Sequence, residues 1–233
     1  PFYDDPTRDF NGAGTQTEFA WNTPPASVPT VAVIDTGITS HPDLTRVLPG
    51  YDFVTDVDNS NDSDGRDADP SDPGDSCGWG GSSWHGTHVA GTIGAVGGNG
   101  LGVTGVAWQV SMISAKIVNS QGQASIADAI EAIDYITMLR MKKGLDIIAS
   151  NNSWGGTAYS RSLENAIKRG GDVGIIFVAA AGNDATDIGT TATYPAAYDC
   201  TTPHRPFDCV VSVAAIDQAG LLASYSNFSS TKV

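Results

Sequence analysis

Short apolar runs alternate along the chain with stretches of helical periodicity, the pattern of a parallel sheet covered by helices. It predicts strands at Val31 to Ile34, Ser111 to Val118, Asp146 to Ser150, Gly174 to Ala180 and Cys209 to Ala215. The clearest helix follows Ala124. Ile126, Ala129, Ile130, Ile133 and Ile136 or Thr137 recur on one face, and Ser125 is placed to cap it, with Asp128 three residues on. Lys142 and Lys143 fall in its last turn, where cations suit the helix dipole, and Gly144 ends it. A second helix runs from about Arg161 to Lys168, closed by Gly170 and Gly171. The expectation is an α/β fold without internal repeats.

Composition narrows this picture. A chain of 233 residues is long enough for one well-buried domain, and no linker argues for two. With 40% hydrophobic residues, order is expected throughout. The 27 glycines and 12 prolines describe a tightly turned, loop-rich surface. Apolar stretches such as Val173 to Ala181 are too short to span a bilayer, so no membrane partner is expected. The formal charge of −14 repels polyanions and argues against nucleic acid as a partner. The acid is unevenly placed: from Asp52 to Asp75 many aspartates accompany a single basic residue, Arg66. That run reads either as a solvated loop or as a divalent-cation site. The chain begins at Pro1 with no basic-then-apolar leader, as in a processed or trimmed product. Of three cysteines, Cys200 and Cys209 flank a short Thr/Pro/His-rich excursion that a disulfide would close. Cys77 is then either a free thiol or paired with a cysteine outside this chain.

Three segments join a strand end or a helix start to polar or Gly-rich sequence, and in open α/β sheets sites gather at the carboxyl ends of strands. The strand Val31 to Ile34 stops on Asp35-Thr36-Gly37, and a buried carboxylate needs a partner to hold it. His85-Gly86-Thr87-His88 opens a helix of small residues. A histidine there can hydrogen-bond a carboxylate through one ring nitrogen and present the other to substrate. Zinc on His85 and His88 is the competing idea, but the pair lacks the Glu and third ligand of the metalloprotease pattern. Phe177 to Ala181 breaks at Gly182 and delivers Asn183, whose amide can donate to a developing oxyanion; by itself Gly-Asn is also an ordinary turn.

In this order the three segments resemble the subtilisin-like (subtilase) family of serine peptidases, from about Thr30 to the end of the chain. The resemblance implies a three-layer fold with a central, mostly parallel sheet flanked by helices. It implies that Asp35 orients His85, that His85 is the general base, and that Asn183 is the side-chain oxyanion donor. Ser153-Trp154-Gly155-Gly156 resembles the family's substrate-binding strand, and Ser120-Gln121-Gly122 the opposite wall of that cleft, with Ala180 and Gly182 lining it beside Asn183. Polypeptide substrates and a secreted, extracellular setting follow from the same likeness. So does calcium, held by Asp43, Asn99 and backbone carbonyls of the loop containing Val96, Leu101 and Val103. A second calcium is expected on Asp62, Asp64, Arg66, Asp67 and Asp69, from the density of hard oxygen donors around a Gly turn.

The family's nucleophile lies in a Gly-Thr-Ser segment, and none occurs here; Ser224, Ser226, Ser229 and Ser230 do not take that role. The expectation is one peptidase domain, incomplete at its C-terminal side, with the serine carried by a second polypeptide such as the C-terminal piece of a nicked enzyme. Without that piece the lost burial would exceed the ~5–15 kcal/mol that holds a domain folded, so the chain is not expected to fold or act alone. The alternative is a serine-less, non-catalytic module that binds calcium and peptides.

Overall fold

Six parallel strands form one sheet in the order β2-β3-β1-β4-β5-β6. They are β1 (Thr30–Asp35), β2 (Val47–Asp52), β3 (Ser111–Lys116), β4 (Ile147–Asn152), β5 (Ile176–Ala180) and β6 (Val210–Val213). The helices are α1 (Val57–Ser60), α2 (His85–Gly94), α3 (Ile126–Lys143) and α4 (Arg161–Asp172). This computed structural model describes residues 17, 21–23, 27–75, 81–201 and 205–233, and Cys77 lies outside them. Among the described residues, no helix is long and apolar enough to cross a membrane.

Alternation along β1 sorts the two faces of the sheet. Val33, with Val31 beside it, packs with Ala90 of α2 and Met112 of β3. Ala32 and Ile34 point the other way, where Ile133 and Ile136 of α3 and Ile167 of α4 cover them. The result is α2 on one side, α3 and α4 on the other, and the sheet between: the three-layer α/β architecture.

The predicted strands all form; β1 and β4 run past their predicted ends to Asp35 and Asn152, while β3, β5 and β6 fall one or two residues short at one or both ends. α3 begins at the Ser125 cap, whose Oγ accepts the Asp128 N–H, and ends at Gly144 in a left-handed conformation. Ile126 departs from its predicted buried face: it is 40% exposed and lines a cleft instead. α4 runs on to Asp172 rather than closing at Gly170 and Gly171. Both glycines are buried inside it, Gly171 facing Cys209 and Arg205, so they serve close packing and Gly174 makes the turn. β2 and the one-turn α1 were not foreseen. Cys200 and Cys209 form a disulfide with Cα atoms 5.5 Å apart.

Among the described residues, one face of the sheet is left poorly covered at β5 and β6. Parallel register carries the α2-facing side of Val31 and Val33 across to Ile176, Val178 and Ala180, then to Val211 and Val213. Ile176, Val211 and Val213 are each nearly half exposed, although parallel sheets are ordinarily covered on both faces.

Candidate active site

β1 leaves the core on a carboxylate. Asp35 is buried, and its Oδ1 lies 2.7 Å from His85 Nδ1 while also accepting the Thr36 N–H at 2.7 Å. His85 is the first residue of α2, and its side chain is 46% exposed, so the ring bridges the buried acid and the solvent. The contact with Asp35 assigns the Nδ1 proton and leaves Nε2 as the acceptor. The hydrogen bond to Asp35 raises the His85 pKa above its ordinary value; burial opposes this, and the charges of Asp35, Asp75 and Asp72 add to the rise. Among the described residues, Asp35 Oδ2 has no hydrogen-bond partner.

The glycines flanking the pair are dictated by crowding. At Gly37 (φ +108°) a Cβ would sit 2.7 Å from the Pro70 carbonyl oxygen, and at Gly86 one would sit 2.2 Å from the Gly37 carbonyl oxygen. Trp84, immediately before His85, takes the left-handed conformation with φ 49°, an uncommon state for a bulky residue.

β5 ends at Ala180, and Gly182 turns the chain so that Asn183 is exposed. Asn227 holds this turn. It is fully buried; its Nδ2 donates to the Ala181 carbonyl at 2.9 Å, and its Oδ1 accepts the Asp184 and Thr186 N–H groups at 2.8 and 3.1 Å. Sequence reading missed Asn227, whose side-chain partners lie 34 to 46 residues away.

A cleft of about 740 Å³ contains Asp35, His85, Gly122, Ser153, Trp154, Gly155, Gly156 and Tyr194. A second cavity of about 260 Å³ contains Ala180, Gly182 and Asn183, and Ser153 lines both. The acid, the base, the oxyanion candidate and the Ser153–Gly156 wall therefore stand at the carboxyl ends of β1, β4 and β5, where strand order reverses. Gly155 and Gly156 face solvent, and Trp154 sets its ring edge-on to Phe177, 6.3 Å away, at the core boundary. Of the opposite wall, only Gly122 reaches the cleft. Gln121 turns to Asn59, donating from Nε2 at 2.7 Å, and the Ser120 N–H donates to the Asn59 carbonyl at 2.8 Å. Ser226 Oγ is engaged, accepting the Ala215 N–H and donating to the Asn227 carbonyl.

The loop bearing Val96, Asn99, Leu101 and Val103 wraps around Asp43. Asp43 is 2% exposed; Oδ1 accepts Asn99 Nδ2 at 2.7 Å, Oδ2 accepts the Val103 N–H at 2.9 Å, and these bonds lower its pKa. Leu101 N–H donates to Asn99 Oδ1, and a Cβ on Gly102 would strike the Asp43 carboxylate. The acidic loop is arranged differently. Asp62 accepts a 2.6 Å bond from buried Lys116, which also binds Asp52 at 2.5 Å. Arg66 pairs with Glu131, and Asp67 and Asp69 accept backbone N–H groups of Asp69 and Ser71. Desolvation, then the charges of Asp67 and Asp62, raise the Asp64 pKa. Among the described residues, no three acidic side chains of this loop converge to a single ion's reach.

These features define a subtilisin-like three-layer α/β fold with an acid–histidine pair at its cleft. The subtilase family model matches residues 27–232, and the chain belongs to that family. It is 37% identical over 231 residues to an extracellular protease of Xanthomonas campestris pv. campestris, covering 93% of this chain and 38% of that protein. It is 36% identical over 199 residues to subtilisin DY of Bacillus licheniformis, covering 84% of this chain and 60% of that protein. Among solved structures, a protease of Pseudoalteromonas arctica aligns over 99% of this chain and 69% of its own, with 34% identity and a TM-score of 0.80. The chain thus spans from 38% to 60% of the length of these two curated relatives.

Proposed function

We propose that this chain supplies the acid, the base and the oxyanion donor of a secreted serine endopeptidase, whose nucleophilic serine lies on a segment outside these 233 residues. The observation that carries this reading is the 2.7 Å contact between a buried Asp35 and a half-exposed His85 at the floor of a peptide-sized cleft. His85 Nε2 takes the serine proton as the oxygen attacks the peptide carbonyl. Asp35 supports the imidazolium that results, and Asn183 donates to the oxyanion. His85 then protonates the leaving amine, and the same nitrogen activates the water that releases the acyl group. An extended substrate lies along Ser153 to Gly156 as an added strand. The poorly covered face of Ile176, Val178, Val211 and Val213 offers an apolar seat for the serine-bearing segment within one domain.

A calcium at the Asp43 loop would be held by Asp43, Asn99 and carbonyls of Val96, Leu101 and Val103, in place of the bonds that the buried Asp43 carboxylate accepts from Asn99 and the Val103 N–H. Its contribution there would be structural, tying the chain after β1 to the end of α2. In the acidic loop Asp62 is bound to Lys116 and, among the described residues, Asp62, Asp64 and Asp67 do not converge on one point, so these residues do not fit a second ion. Arg66 and Asp69 are engaged elsewhere. Secretion accords with the extracellular naming of a relative and with the Cys200–Cys209 disulfide.

The test is hydrolysis of a denatured protein substrate by the protein carrying its serine segment. Activity should be blocked by a fluorophosphonate and fall about 10⁶-fold in H85A, a magnitude taken from loss of the triad base in subtilisin. Hydrolysis indifferent to the fluorophosphonate or to H85A would overturn the reading.

A further inference from the structure

We infer that Asp72, a residue of the acidic loop, is a positioning residue for the Asp35–His85 pair and acts through the Thr36 hydroxyl. The inference rests on the peptidase reading above and assigns that site an additional part.

Thr36 closes a ring of contacts around the pair. Its N–H donates to Asp35 Oδ1 at 2.7 Å, and its Oγ1 accepts the Gly86 N–H at 2.9 Å. Gly86 follows His85 in the chain, and His85 returns to Asp35 Oδ1 at 2.7 Å. The ring therefore links the acid and the base through backbone as well as through their side chains. Since Oγ1 accepts from Gly86, the hydroxyl proton needs an acceptor elsewhere, and Asp72 Oδ2 provides it at 2.7 Å. A hydroxyl so held cannot rotate away from the Gly86 N–H, one of the donors at the start of α2 that has no partner within the helix.

The loop is built to bring that carboxylate in. Asp72 is 5% exposed, as is Thr36, and a buried carboxylate is costly unless its hydrogen bonds are made. Its second oxygen accepts the Gly74 N–H at 2.8 Å, and its carbonyl accepts from Thr39 Oγ1 at 3.1 Å. The Pro70 carbonyl accepts the Ile38 N–H at 3.2 Å, so the segment lies directly over the Asp35-Thr36-Gly37 turn. Asp72 itself does not line the cleft, whereas Thr36 does. Its influence thus falls on the geometry of the base and leaves substrate contacts alone.

The test is steady-state kinetics of the protein carrying its serine segment, normalised to sites titrated with a fluorophosphonate. D72A should lower kcat about 10- to 100-fold, the cost of a small misplacement of a catalytic group, with KM changed less than about twofold. D72N keeps one acceptor oxygen for Thr36 and should recover most of that loss. T36V, which also removes the acceptor of the Gly86 N–H, should cost at least as much as D72A, and D72A should add nothing in the T36V background, because Asp72 acts through that hydroxyl. Proton NMR gives a readout apart from turnover: the low-field Nδ1 proton of His85 should broaden or move in D72A and return toward its place in D72N. If D72A does not fold, D72N and T36V carry the comparison. Unchanged kcat per titrated site in a merely less stable D72A, or additive losses in the double variant, would overturn the inference. A parent protein that takes no fluorophosphonate label would instead overturn the peptidase reading, and this inference with it.

Discussion

His85 meets a buried carboxylate through Nδ1 and the cleft through its other nitrogen, and its pKa lies above that of an ordinary histidine. A general base must be neutral to accept a proton, so activity should rise with pH through the His85 pKa, and the acid limb of kcat/KM should be displaced toward higher pH relative to an unperturbed histidine. Asp75 is one of the anions that hold the proton on the ring, so D75N should move that limb toward lower pH, read from a pH–rate profile. Asn183 should matter chiefly to kcat. N183A is expected to cost about 10²–10³-fold with KM little changed, a magnitude taken from the oxyanion donor of subtilisin rather than from this geometry. Asp35, His85 and Asn183 were legible in the sequence because each sits in a short contiguous motif at a strand end or helix start. Asp72 and Asn227 were not, since an aspartate within an acidic run and an asparagine between Ser226 and Phe228 carry no local sign of a partner 36 or 46 residues away.

Among the elements, α3 was legible from both ends, because Ser125 and Gly144 each satisfy helix-terminal groups by local chemistry. S125A should lower stability by about 1 kcal/mol in a denaturation curve. β2 escaped because Pro49 and Gly50 interrupt its pattern; as an edge strand it tolerates both, with a register shift between Leu48 and Tyr51. The carboxyl ends of β2 and β3 are joined by the buried Lys116–Asp52 pair, both within 1% exposure, and Asp62 attaches the acidic loop to the same ammonium. Burial pushes Asp52 up to about 6 against the pull of Lys116, leaving it mainly ionised at neutral pH. K116M would strand that carboxylate and should destabilise the protein by about 3–5 kcal/mol, whereas K116M with D52L should recover much of the loss. A single variant no less stable than the parent would show that the pair does not hold the loop.

For the whole molecule, a parallel sheet of this kind was readable from the alternation of strands and helices, and the family from three motifs taken together. The poorly covered face at β5 and β6 was not readable in detail, because it depends on register: Val33, Asn151, Val178 and Val211 align across four strands only once the fold is known. On the peptidase reading, this chain provides a working base to a serine carried elsewhere. The most direct test is to label the purified protein, with its serine segment present as a separate polypeptide, with a fluorophosphonate and resolve it on a denaturing gel. Label on the smaller polypeptide, lost when His85 is replaced by alanine in the 233-residue chain, is the expected result. Label that survives that replacement, or no label on either polypeptide, would contradict it.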